Sequence, residues 1–210
     1  TVLDPDNAES YRRLIDSLSN TDTTGTEGIS LATLLDSYNN SYNTTSSDTS
    51  SNNSYKAVKL SVPSFKQTDS RWANVTLGSS GQTIARIGCA TTAIAMIESY
   101  RTGTTIYPNA MAKRLRYTAT GSVYWPEHFV AVTGSADYLS RVYQLLQQGK
   151  PVLLGMKNAS GGQHWVVITG FTGGTVTAAN FTINDPGSNS RTTLQQFVNL
   201  YPTFYKLFYY

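Results

Sequence analysis

Residues 55–210 predict an α+β domain, on three observations. Apolar residues recur mainly at helical spacing up to Gly149 and in strand-like runs after Pro151, so helices precede strands instead of alternating with them. Aromatic side chains are abundant, with 14 Tyr, 7 Phe and 3 Trp in a 210-residue chain that is 40% hydrophobic, which is enough material for a sizeable core. The run "NNSYNTTSSDTSSNNS" at 39–54 is Asn, Ser, Thr or Asp at every position but Tyr42. Such a stretch buries too little apolar area to offset its ordering entropy, and it reads as a flexible linker or a long exposed loop.

Ahead of that linker, residues 1–38 form a helical segment in this reading. "DNAESYRRLIDSLS" sets Tyr11, Leu14, Ile15 and Leu18 at helical spacing behind Asp6 or Asn7 as cap, and "ISLATLLDSY" does the same with Leu31, Leu34, Leu35 and Tyr38 behind Ser30. Helices this short do not stand alone in water. They are expected to pack on each other, on a partner, or on the main domain, where they would form a lid over its groove.

In the main domain, "AVKLSVPSF" alternates and then meets proline, the pattern of an edge strand. "CATTAIAMIESY" is a helix with Ala90, Ala93, Ile94, Ile97 and Tyr100 as its buried stripe and Gly103 as its stop. "PNAMAKRLR" is a second helix. "SADYLSRVYQLLQQG" is a third, capped by Ser135, with Leu139, Val142, Leu145 and Leu146 on one face. Then come "PVLLGM", "HWVVITGF" and "TVTAANFTIND" as strands, a short helix "TLQQFVNLY", and "FYKLFYY" as a half-buried edge strand.

Composition excludes several functions. Charged residues are 14%, against roughly 25% in ordinary globular proteins, so solubility rests on Asn, Ser, Thr and Gly, as suits an extracellular protein. The net charge is +3 and no basic run exceeds two residues, which is no footprint for nucleic acid or an anionic membrane. No stretch of 18 apolar residues is present. The chain starts "TVLDPDNAES" without a leader pattern, as a mature form or a module of a larger protein would. One cysteine allows no internal disulfide and no cysteine-based metal cluster.

That cysteine, Cys89, opens the "CATTAIAM" helix behind Gly88. A nucleophilic thiol needs help to ionise, and a helix N-terminus and a neighbouring imidazole both supply it. The chain has two histidines. His164 follows the flexible "ASGGQ" and heads a strand on which Val166 and Ile168 share its face while Trp165 and Val167 point the other way. His128, in "YWPEHF", reads as a surface or loop residue, and its aromatic neighbours as a stretch able to line a subsite. A hairpin at Gly173-Gly174 would return the next strand beside His164, with Asp185 on the imidazole side and Asn184 on the opposite face. "DPG" is also an ordinary turn in which Asp accepts from its own backbone, a use compatible with holding the imidazole only if the carboxylate is left free. An oxyanion would be met by the Cys89 N–H and a side-chain amide, Gln67 or Gln82.

"QTDSRW", "GCATTAIAM", "QHWVVITGF" and "NDPG" follow one another as do the blocks of the C39-like cysteine peptidases, a branch of the papain-like fold, and residues 58–210 resemble that family in order. The resemblance implies a papain-like fold with helices packed on an antiparallel sheet. It implies hydrolysis of a peptide or amide bond, with Cys89 as nucleophile, His164 as base, Asp185 as orienting acid and Gln67 in the oxyanion hole. Substrate would be a peptide or protein and no cofactor or metal would be needed. Two positions depart from the family blocks: Ala90-Thr91 stands for Gly-Pro after the cysteine, and Gln163 for Gly before the histidine. Ala90, Gln163 and Trp165 are therefore the expected substrate contacts. The competing expectation is a catalytically silent module of the same fold that binds protein or cell-wall material. A Cys-His cell-wall endopeptidase or amidase typically has Asp before the nucleophile, where this chain has Gly88.

Overall fold

A computed structural model describes residues 54–210. The helical segment expected over 1–38 and all of the 39–54 linker but Ser54 lie outside the described residues. Among the described residues eleven α-helices and strands follow in chain order: β1 (Val58–Lys59), α1 (Ile84–Ile87), α2 (Cys89–Thr102), α3 (Pro108–Arg114), β2 (Val130–Val132), α4 (Tyr138–Gln147), β3 (Val152–Lys157), β4 (Gln163–Phe171), β5 (Phe181–Asn184), α5 (Leu194–Val198) and β6 (Thr203–Tyr209). The strands form one antiparallel sheet in the order β1-β4-β3-β6-β2, with β5 also on β4. This is α+β with helices against an antiparallel sheet, the coarse form of the architecture expected.

Strand periodicity divides the core in two. Leu153, Trp165, Val167 and Phe208 point to one face and pack with Trp72, Ala93, Ile94 and Ile97. Leu154, Val166, Ile168 and Leu207 point to the other and pack with Val142, Leu146, Leu194 and Phe197. Thus α2 covers one face, and α4 and α5 cover the other.

Sequence and structure differ at five places. Helix α2 has no single buried stripe: every residue from Thr91 to Ser99 is buried, while Ala90 and Tyr100 are only partly so. Its Ala, Thr and Ser residues let neighbours approach from all sides, and the Ser99 hydroxyl turns inward to bond Ala95 O (2.7 Å) and accept from Ile106 N (2.8 Å). Helix α4 starts after Asp137, not Ser135; Asp137 sits at φ +46° and its carboxylate accepts from the Ser140 hydroxyl at 2.7 Å. The stretch 175–185 is not one strand, since a 3-10 turn at Ala178–Asn180 precedes β5. Strand β2, too short to read from period, pairs with β6 and so makes β6 an interior strand. The strand expected in "AVKLSVPSF" keeps two residues, Val58 and Lys59. No helix among the described residues is long and apolar enough to cross a membrane.

Candidate active site

Cys89 is the first residue of α2 and is partly exposed. A sharp turn separates α1 from α2, and only Gly fits its corner: a Cβ on Gly88 would lie 2.5 Å from Ile84 O. Gly88 offers no side-chain cap. The first helical bond runs from Thr92 N to Gly88 O (2.9 Å), so the amides of Cys89, Ala90 and Thr91 have no partner within the helix. Nucleophile candidate and N–H groups without a partner inside the helix therefore share one helix end.

His164 is the second residue of β4 and lies on the α5 side of the sheet. Its ring stacks on Tyr201 (centroids 5.4 Å apart) and tilts against Phe197 (5.8 Å). Val167 pairs with Asn184, so β5 runs back toward His164 and Asp185 ends beside it. Nε2–H of His164 donates to Asp185 Oδ1 at 2.7 Å. Asn184 faces away and donates to the carbonyls of Val62 and Pro63. Cys89 lies close enough to the ring to raise its proton affinity, and with Nε2 on Asp185 the nitrogen left for sulfur is Nδ1. Burial pushes the imidazolium down; the bond to Asp185 and then the nearby Cys89 push it up, and the balance leaves it raised to about 9.

Asp185 is fully buried. Burial pushes its carboxyl up, but bonds from His164 and Arg191 outweigh that and hold it below the usual carboxylate range. Oδ1 accepts from both His164 Nε2 and Gly187 N, each at 2.7 Å, while Oδ2 accepts from Arg191 Nε at 2.7 Å. The turn use of "DPG" and the contact with histidine thus coexist without a free carboxylate, because one carboxylate oxygen accepts two donors. Gly187 is required there: a Cβ would meet His164 Cε1 at 2.9 Å.

Gln67 links the two halves. Its backbone N–H donates to Pro186 O (2.9 Å) beside Asp185, and its Nε2 donates to Ala85 O (2.8 Å), four residues before Cys89. One hydrogen of that amide remains for another acceptor. Gln82 lies in the turn before α1, its backbone bonded to Leu77 and Ser80; neither Gln67 nor Gln82 is among the residues lining the cleft at Cys89.

A cleft of about 480 Å³ opens at the sulfur, and Ala90, Gln163 and Trp165 all line it with Cys89. Trp125 and Tyr205 continue the wall, with Trp125 packed on Trp165 at 4.6 Å. Gly155 makes room for that wall, since a Cβ on it would strike the Trp165 ring at 2.5 Å. Thr91, also lining the cleft, bonds Tyr117 at 3.0 Å. Among the described residues, none that lines the cleft carries a charged side chain.

His128 stands apart. Its Nε2 meets Glu98 Oε1 (2.9 Å), and both line a separate cavity of about 290 Å³ with Tyr124 and Trp125. Arg191 and Lys66, which surround Asp185, were not legible beforehand: no spacing rule connects position 191 or 66 to 185. A Gly in mid-strand at 155 was a legible signal of close approach.

An α+β domain in which a thiol at a helix start meets an imidazole at a strand end is consistent with the papain-like group of proteins. Residues 59–209 match the model of the Peptidase_C39 like family, and the chain belongs to that family. No curated protein matches the chain.

Proposed function

We propose that this protein hydrolyses a peptide or amide bond through a thioester on Cys89. The observation that carries the reading is the His164 ring, bonded to Asp185 through Nε2 and close enough to Cys89 to be affected by it, beside a cleft that opens at Cys89. Membership in a peptidase family supports a peptide or protein substrate.

In this mechanism Cys89 Sγ attacks the carbonyl carbon and the thiol proton resides on His164 Nδ1. The carbonyl oxygen becomes an anion, met by the Cys89 N–H and the second Nε2 hydrogen of Gln67. The C–N bond breaks as His164 passes its proton to the leaving amine. Water then attacks the thioester, giving a proton to His164, and the carboxylic acid leaves as the thiol re-forms. Asp185 holds the ring and balances its charge throughout. Ala90 and Gln163, which line the cleft beside Cys89, would contact the substrate, and the absence of charge among the described lining residues favours substrate residues without charge there.

The test is alkylation by iodoacetamide at pH 6, followed by peptide-mapped mass spectrometry with an epoxide inhibitor of thiol peptidases. Rapid labelling of Cys89, sharply slowed in His164→Ala, is expected. A thiol that labels only as pH approaches the ordinary thiol range of about 8.5, with no effect of His164→Ala, would favour the silent binding module.

A further inference from the structure

Asp185 receives more positive charge than an orienting carboxylate needs. Arg191 Nε donates to Oδ2 at 2.7 Å, and its guanidinium is largely buried. Lys66 Nζ donates to the carbonyls of Asp185 (2.7 Å) and Ser188 (2.6 Å). The loop that brings Arg191 back is closed at its base by Ile183 N to Thr192 O (2.9 Å), and Arg191 N bonds the Ser188 hydroxyl at 3.1 Å. The backbone around Arg191 is thus held beside Asp185, and Nε is anchored on Oδ2.

We propose that Arg191 is a positioning residue for the reaction: by holding Oδ2 it keeps Asp185 charged and aimed at His164, and by sharing that charge it loosens the carboxylate's grip on the imidazolium. This rests on the peptidase reading, in which His164 must release a proton to the leaving amine. Releasing it leaves a buried carboxylate without its cation. A permanent cation on the other oxygen makes that release less costly. The groups facing the ring are Cys89 from α2, Asp185 from the end of β5 and Tyr201 after α5, with Arg191 and Lys66 behind the carboxylate. Among the described residues only Arg191 bonds the carboxylate oxygen opposite histidine.

The test is histidine NMR on the whole chain, which has two histidines to distinguish. In Arg191→Met the His164 midpoint should rise by about one pH unit or more, since a cation is lost from the far side of its partner. The alkaline limb of Cys89-dependent turnover should rise with it, and Arg191→Lys should restore both in part. In the wild-type protein the Arg191 Nε–H signal should shift with the same midpoint as His164, a readout that requires no variant. A midpoint unchanged or lowered in Arg191→Met, or an Arg191 signal indifferent to the titration of His164, overturns the proposal. If wild-type Cys89 labels as an ordinary thiol while these shifts appear, the peptidase reading fails instead.

Discussion

The two histidines of this chain each find a carboxylate, and the two pairs are not alike. His164 meets Asp185 at 2.7 Å with side-chain exposures of 10% and 0%; His128 meets Glu98 at 2.9 Å with 45% and 9%. Burial pushes Glu98 up, and Arg101, bonded to both its oxygens, and then His128 bring it below the usual range. His128 thus adds a second partner to a carboxylate already neutralised by Arg101, and ties the 126–129 turn to α2. At Asp185, by contrast, the histidine has Cys89 near enough to raise its proton affinity. A histidine–carboxylate bond is common stabilising chemistry; what sets the first pair apart is sulfur, dryness and a cleft.

The largest effect expected is at the ring itself. His164→Ala should slow Cys89 alkylation at pH 6 by about 10²- to 10⁴-fold, read by mass spectrometry, because in the proposed mechanism the imidazole takes the sulfur's proton. Parity with the wild type would erase the distinction between the pairs.

Next is Asp185→Asn. In the folded protein His164 keeps its proton to about 9, against 6.5 ordinarily. Its contribution to stability is therefore full below about 6.5 and lost as pH rises through about 9. Asp185, held low, contributes above the ordinary carboxylate range and loses this as pH falls. The amide variant should move the alkaline limb of activity below 9 and lower stability at pH 7 by about 3–5 kcal/mol in urea unfolding, since Arg191 loses its counter-charge. A limb that stays put would show that the carboxylate does not set the ring's proton affinity.

Gly187→Ala should have a smaller effect. The added methyl meets the ring at 2.9 Å, so labelling should fall by about 10- to 100-fold through displacement of the imidazole. His128→Ala sharpens the comparison from the other side. Labelling should change by less than about twofold, and unfolding free energy by less than about 1 kcal/mol, as befits a half-exposed pair.

Much of the candidate site was legible because its parts are local. Gly88-Cys89 marks a helix start within two residues, and His164 is placed by period-2 alternation along its own strand. Asp185 follows from a strand returning beside it, although that strand is shorter than expected and its register shifts between Ile168 and Gly170. The preference for Asp185 over Asn184 at the ring follows from the same alternation. Gln163, Ala90 and Trp165 come to the cleft as neighbours of those two anchors.

What the chain alone determined, then, was the order of helices and strands, the family, and which short segments carry sulfur, imidazole and carboxylate. Each is encoded by spacing within a few residues. Tertiary structure decided the rest: that α2 is buried all round, that β2 turns β6 into an interior strand, that Glu98 awaits His128, and that Lys66 and Arg191 converge on Asp185. Lys66 lies 119 residues from its acceptor. Contacts of that kind depend on how packed layers bring distant backbone together, and a periodicity read along one segment carries no record of what another segment will lay against it.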